Sequence, residues 1–263
     1  MSLAARERRA LAVQRAVSWL LSPLWMAASL ALLRLAGRYR IEDLGSVRAE
    51  YRRLRAEAPG PLLVCPNHLT LIDSALVAWA LGGPFWWWRH FREFPWNVPE
   101  ESLFASTSSR GALAWLLKCV PIRRGGDRRR SAQTLARLRH LLERGESVLV
   151  FPEGGRSRTG GVDAQARTYG VGRILGAVSG CRVLCVHLRG VGQDSFSDLP
   201  RRGERFQVRL ALFDPRSEAR GLRRSLELTR QVLGRLASLE AACQPPPARA
   251  PARIWEAPAR AGQ

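Results

Sequence analysis

His68 and Asp73 stand five residues apart in the stretch PLLVCPNHLTLID, from Pro61 to Asp73. An imidazole within reach of a carboxylate is the equipment of a general base. The carboxylate fixes the tautomer at one ring nitrogen and leaves the other free to take a proton. In one continuous helix, however, five residues turn through about 140°, and the two side chains would point apart. They meet only where His68 precedes a helix and Asp73 lies in its early turns. The apolar run Leu62 to Cys65 reads as a strand ending at Pro66. Leu71 to Leu81 reads as a buried helix with Thr70 as its N-cap, so Asn67 and His68 fall at a strand-to-helix turn. For a lone His-x4-Asp, a surface histidine beside a capping aspartate is the commoner case.

A second stretch changes that balance. Val148 to Phe151 is strand-like and leads into Pro152-Glu153-Gly154-Gly155-Arg156-Ser157-Arg158-Thr159-Gly160. Glycines that expose backbone N–H groups, beside two arginines and two hydroxyls, make an anion cradle. Between the two stretches, Val120-Pro121-Ile122 leads to Arg123, Arg124 and Gly125. An arginine pair at a strand end can hold two oxygens of one phosphate with each planar fork.

In this order the three blocks resemble the glycerolipid acyltransferase family, that of the 1-acylglycerol-3-phosphate acyltransferases and their relatives. Asn67-His68 to Asp73 matches its N-H-x4-D block, and Phe151 to Ser157 its F-P-E-G-[TS]-R-[ST] block. Gly155 departs from it by standing where the family has Thr or Ser. A fourth block is weaker: Val183-Leu184-Cys185-Val186-His187 has Cys185 in place of a proline. The resemblance spans roughly residues 45 to 215. It implies that His68 and Asp73 are catalytic. It also implies that Asn67, Arg123, Arg124, Glu153, Gly154, Arg156 and Ser157 line the substrate site. The reaction implied is transfer of a fatty acyl group from acyl-CoA or acyl-carrier protein to the hydroxyl of a lysophospholipid-type acceptor. The first choice of acceptor is 1-acylglycerol-3-phosphate, giving phosphatidic acid. Glu153 is expected to accept a hydroxyl hydrogen bond or to orient Arg156 or Arg124. The acyl thioester is a co-substrate, and no cofactor or metal is implied. A different lyso-lipid acceptor, or a non-catalytic protein that binds anionic lipid, stays open.

Composition bounds these expectations. At 263 residues and 46% hydrophobic content, the chain can bury one sizeable core. The net charge is +20, carried almost wholly by arginine, since Lys118 is the sole lysine. Such a charge implies anionic partners: lipid headgroups, phosphate, CoA or nucleic acid. The arginines are dispersed, with no helix-turn-helix, zinc-finger or ribonucleoprotein pattern, so membrane lipids fit better than nucleic acid. Five scattered cysteines, Cys65, Cys119, Cys181, Cys185 and Cys243, exclude a disulfide framework and lack metal-ligand spacing. They read as small buried hydrophobes of a reducing compartment. Cys65 beside His68 suggests a thiol nucleophile, but its apolar strand favours the core.

Residues 1–44 read as a membrane-anchoring helical segment. Ala16 to Leu33 carries no charge and has arginines on both sides. Eighteen such residues reach the threshold for spanning a bilayer core of about 30 Å. With Pro23 inside, a kinked or hairpin-like pair lying in one leaflet fits equally. The expected place is the cytoplasmic face of a membrane; the oligomeric state is not legible. Residues 45–243 read as the catalytic domain, and the Pro/Ala/Arg-rich 244–263 as a disordered tail. Within the domain, Phe85 to Trp88 reads as an aromatic strand, Cys119 to Ile122 as a strand, and Asp127 to Arg144 and Arg216 to Ala242 as amphipathic helices. Arg205 to Phe213 alternates as a strand should. Strands alternating with helices predict an α/β fold: a mixed, mostly parallel sheet flanked by helices, with its site at the carboxyl ends of strands.

Overall fold

The structure, a computed structural model, describes residues 3–103, 107–123, 128–193 and 195–243. Among these, six strands form one sheet: β1 (Arg40–Ile41), β2 (Leu62–Pro66), β3 (Trp96–Asn97), β4 (Ser147–Leu149), β5 (Arg182–Gly190) and β6 (Arg205–Phe213). Their order is β1-β6-β5-β2-β4-β3. Only β5 and β6 pair antiparallel among the described strands; the other four pairings are parallel. The expected α/β class and mostly parallel sheet are therefore found. All five residues of β2 are buried, as a central strand covered on both faces requires.

Side chains alternate along each strand between two cores. Leu62 and Val64, with Leu184 and Val186 of β5 and Phe206 of β6, face one side. There they meet α2 (Leu44–Glu57), α3 (Asp73–Leu81) and α4 (Pro84–Arg89). Leu63, Cys65, Val183 and Cys185 face the other side, against α6 (Arg128–Glu143), α7 (Gly170–Ala177) and α8 (Gly221–Ala241). Each such large side chain contributes about 1.5–3 kcal/mol by leaving water. The contact of α7 with α8 depends on Gly172, where a Cβ would stand 1.8 Å from the Ser225 carbonyl oxygen. Cys65 is wholly buried and its thiol is pushed well above the ordinary range by burial, which excludes the nucleophile reading.

The N-terminal apolar run forms one helix, α1 (Ala5–Ala31), extended by a π-helical turn over Leu32–Ala36. A hairpin-like pair is not the arrangement found. Pro23 cannot donate to the Trp19 carbonyl, but Ser22 Oγ does so at 2.8 Å and keeps the helix continuous. A stripe of Leu11, Gln14, Ser18, Ser22 and Met26 faces the protein body. Gln14 donates to the carbonyls of Trp115 and Cys119, and Ser18 to that of Leu116, on or just beyond α5 (Ser108–Leu116). Arg15 pairs with the buried Glu146 at 2.7 Å, and Glu7 with Arg137. Lys118 is wholly buried against that same Glu146 and the carbonyls of Phe91 and Phe94.

Three local expectations need correction. Phe85 to Trp88 is helical in α4, because Gly83 and Pro84 start a helix there and outweigh the β-propensity of the aromatics. Cys119 to Ile122 makes only isolated bridges, to Asn97 and Glu100. The long C-terminal helix begins at Gly221 instead of Arg216. The tail, residues 244–263, lies outside the described residues, as does Arg124.

Candidate active site

Parallel pairing of β2 with β4, in register Val64 to Leu149, brings the loops after both strand ends to one place. The first loop carries His68 and the second Glu153. Thr70 is not an N-cap: α3 begins at Asp73, and Thr70 is buried beneath it. Asp73 sits in the first turn, where the helix dipole favours a carboxylate. Its Oδ2 accepts the N–H of Leu69 at 2.6 Å, the N–H of Thr70 at 2.8 Å and His68 Nδ1 at 3.0 Å. Its Oδ1 accepts Thr70 Oγ1 at 2.5 Å. The carboxylate is 2% exposed and bound on both oxygens, so it has one orientation. An acceptor-only partner at Nδ1 puts the ring proton there and leaves a lone pair on Nε2. The ring stacks on Phe151, centroids 3.9 Å apart and planes 17° apart.

The Phe-Pro-Glu-Gly turn and the residues after it grip the backbone of His68 from both sides. The His68 N–H donates to Glu153 Oε1 at 3.1 Å, and the Ser157 N–H donates to the His68 carbonyl at 2.8 Å. The Glu153 Oε2 is buried without a partner among the described residues. Burial pushes the Glu153 carboxyl up to about 7, opposed chiefly by the His68 N–H, with nearby Glu240 and Asp163 adding to the rise. Gly154 takes a positive φ of 73° to close the turn, and its N–H donates to the Phe151 carbonyl. Ser157 Oγ donates to the Gly161 carbonyl at 2.5 Å.

The remaining expected residues are dispersed. Asn67 is 4% exposed and its amide is committed to β5: Nδ2 donates to the Leu188 carbonyl at 3.0 Å, and Oδ1 accepts the Leu188 N–H at 2.7 Å. It therefore fixes β2 to β5, with its amide committed to the sheet. Glu153 does not orient Arg156. Asp198 does, at 2.5 Å, with the Ser197 carbonyl at 3.2 Å and the Phe196 ring beneath the guanidinium at 5.6 Å. Arg123 is exposed at the end of the Ile122 bridge.

One cavity of about 350 Å³ opens beside the His68 ring. Its walls are mostly apolar. Leu71, Ala75, Ala78 and Gly82 line it from α3 and its flanks, with Trp25, Met26, Leu30 and Leu33 from the N-terminal helix. Small residues on the α3 side leave room for a long, narrow guest. Sequence reasoning missed this wall of α1, the Asp198 partner of Arg156 and the stacking of Phe151; the small-residue spacing Ala75, Ala78, Gly82 was the available signal.

A family model described as Acyltransferase matches residues 47–187, 141 of the chain's 263 residues. The match takes in β2, α3, β4 and the Phe-Pro-Glu-Gly turn.

Proposed function

The chain belongs to the acyltransferase family, and from that membership we propose that it moves a fatty acyl group from a thioester to the hydroxyl of a lysophospholipid-type acceptor. The observation that carries the reading is the 3.0 Å contact of His68 Nδ1 with Asp73 Oδ2 at the mouth of an apolar cavity. A base and a site for an alkyl chain occur together, which a phosphate-binding turn alone would not require.

In the proposed reaction, Nε2 of His68 takes the acceptor's hydroxyl proton as its oxygen attacks the thioester carbonyl carbon. The tetrahedral intermediate collapses by breaking the C–S bond. The proton on Nε2 then passes to the departing thiolate, so no covalent acyl-enzyme forms. A thioester is already activated, and holding the two reactants together supplies much of the remaining acceleration. Phe151 keeps the ring flat against the turn while Asp73 holds its tautomer.

The acceptor's phosphate is assigned to Arg156 and, from the arginine pair, to Arg123 and Arg124. Support comes from the weakness of the resident pairing. Asp198 has a side chain 75% exposed, and such a pair is worth about 0–1 kcal/mol. A doubly charged phosphate exchanges with it readily. The acceptor proposed first is 1-acylglycerol-3-phosphate, giving phosphatidic acid, with acyl-CoA or acyl-carrier protein as donor.

The N-terminal helix supports a membrane site for this reaction. Ala5–Ala36 is long and apolar enough to cross a bilayer. It is nevertheless tied along its length to α5 and to Glu146, and it exposes Leu20, Leu24, Leu32 and Leu35 outward. Lying in one leaflet, it would present the cavity to lipid on the cytoplasmic side without detaching from the body. Purified protein given a labelled acyl thioester and a panel of lysophospholipids in mixed micelles tests the proposal. Acyl transfer to one acceptor is the expected result, and absence of transfer from any donor would leave a lipid-binding protein.

A further inference from the structure

Glu240 lies in the last turn of α8, well beyond the stretch the family model matches. Its carboxylate reaches across the fold to the loop that follows the Phe-Pro-Glu-Gly turn. Oε2 accepts the Val162 N–H at 3.0 Å, and Oε1 accepts Arg189 Nη1 at 3.3 Å. His187 Nε2 stands 3.9 Å from the same Oε1. The side chain is 14% exposed.

That loop has no strand or helix to hold it between Phe151 and Gly170, so its shape rests on individual bonds. Those bonds converge on His68. Glu153, inside the loop, accepts the N–H of His68. Gly161, next to Val162, accepts Ser157 Oγ, and the N–H of Ser157 donates to the carbonyl of His68. The backbone on both sides of the imidazole thus depends on one loop, which the Glu240 carboxylate moors at Val162. Glu240 holds it from outside, on α8. A largely buried carboxylate is a costly way to pack α8, which its leucines already do. Its placement is explained by what it holds.

We propose that Glu240, with Arg189 as its counter-charge, is a positioning residue: it moors the loop after the Phe-Pro-Glu-Gly turn at Val162 and so fixes the backbone around His68. Glu240 itself touches no substrate. The inference rests on His68 being the base of the reaction proposed above, and its test has one readout that does not need turnover. Hydrogen exchange is compared in wild type, Glu240→Ala and Glu240→Gln over segments 66–73 and 153–165, alongside kcat and KM for the acyl thioester.

In Glu240→Ala, exchange accelerates about tenfold or more in both segments, kcat falls about tenfold or more, and KM stays within about threefold. Glu240→Gln recovers most of both, because its amide oxygen still accepts the Val162 N–H. Should Glu240→Ala fail to fold, Arg189→Gln carries the same comparison, since it unpairs Oε1 while leaving α8 intact. Exchange unchanged in both segments, or accelerated only at the end of α8, would overturn the mooring. A wild type that turns over no thioester sinks the proposed reaction instead, and the exchange comparison still decides the mooring.

Discussion

Asp73 illustrates how much one side chain is asked to do. It accepts four hydrogen bonds, two from backbone N–H groups, one from Thr70 Oγ1 and one from the imidazole. Asparagine has nearly the same shape but turns one acceptor into a donor, which then faces N–H or O–H groups that also donate. Asp73→Asn is therefore expected to lower kcat by roughly a hundredfold or more, through the wrong tautomer at Nδ1. It should also cost on the order of 1–3 kcal/mol in stability, through unsatisfied buried donors. Steady-state kinetics and a denaturant titration on the same sample check both. Loss of stability with full activity would mean that Asp73 only caps the turn. Much of this was legible beforehand: the spacing of His68 and Asp73 demanded that they straddle a helix start, and they do. The role of Thr70 was not legible. A hydroxyl three residues before an aspartate reads as a cap, and only the fold reveals that the carboxylate is the acceptor and the threonine the donor.

At the scale of elements, α3 does two jobs from two faces. Leu76, Val77, Ala80 and Leu81 are buried in the core, while Ala75 and Ala78 line the cavity. Ala78 lies five residues beyond Asp73, about 7.5 Å along the helix axis at 1.5 Å per residue. A phenylalanine there would block the cavity at that depth. Ala78→Phe is expected to abolish transfer of long acyl chains and to retain transfer of short ones, measured as kcat/KM against thioester chain length. An unchanged chain-length profile would place the acyl chain elsewhere. The periodic elements, α6 and β6 above all, were readable because their apolar stripes are long. β1 and β3 have two residues each, too short for any alternation to register. α4 was misread from its tryptophans although Gly83-Pro84 carried the better signal. The contribution of α1 to the cavity wall is a long-range packing fact, absent from any window of sequence.

For the molecule as a whole, sheet topology is what creates the site. Adjacent parallel strands put two distant loops at one sheet edge, and the blocks at residues 67–73 and 151–157 could be read as neighbours only because a parallel sheet does this. The partners that keep the site in place were invisible: Asp198 and Glu240 belong to segments without motifs. The same buried polar region sets a pH limit. Burial holds His187 down to about 4, with Glu240 opposing and Arg189 assisting the shift. In the unfolded chain the ring takes a proton below about pH 6.5, whereas the folded chain refuses it until about 4. The associated stability is complete above pH 6.5 and is lost as the pH falls through that window, in an amount on the order of 3 kcal/mol. Denaturant midpoints from neutral to mildly acid pH should therefore drop less in His187→Leu than in wild type. Parallel curves would place the acid sensitivity in other groups.

The most direct measurement is single-turnover transfer of a labelled acyl group from thioester to lysophospholipid by His68→Ala, at matched protein concentration and with its thermal unfolding recorded. Transfer should fall to background while unfolding stays within a few degrees of wild type, because the ring is partly exposed at the cavity mouth and its backbone bonds are unchanged. Transfer at an undiminished rate would contradict a general base at His68, and with it the reaction proposed for this fold.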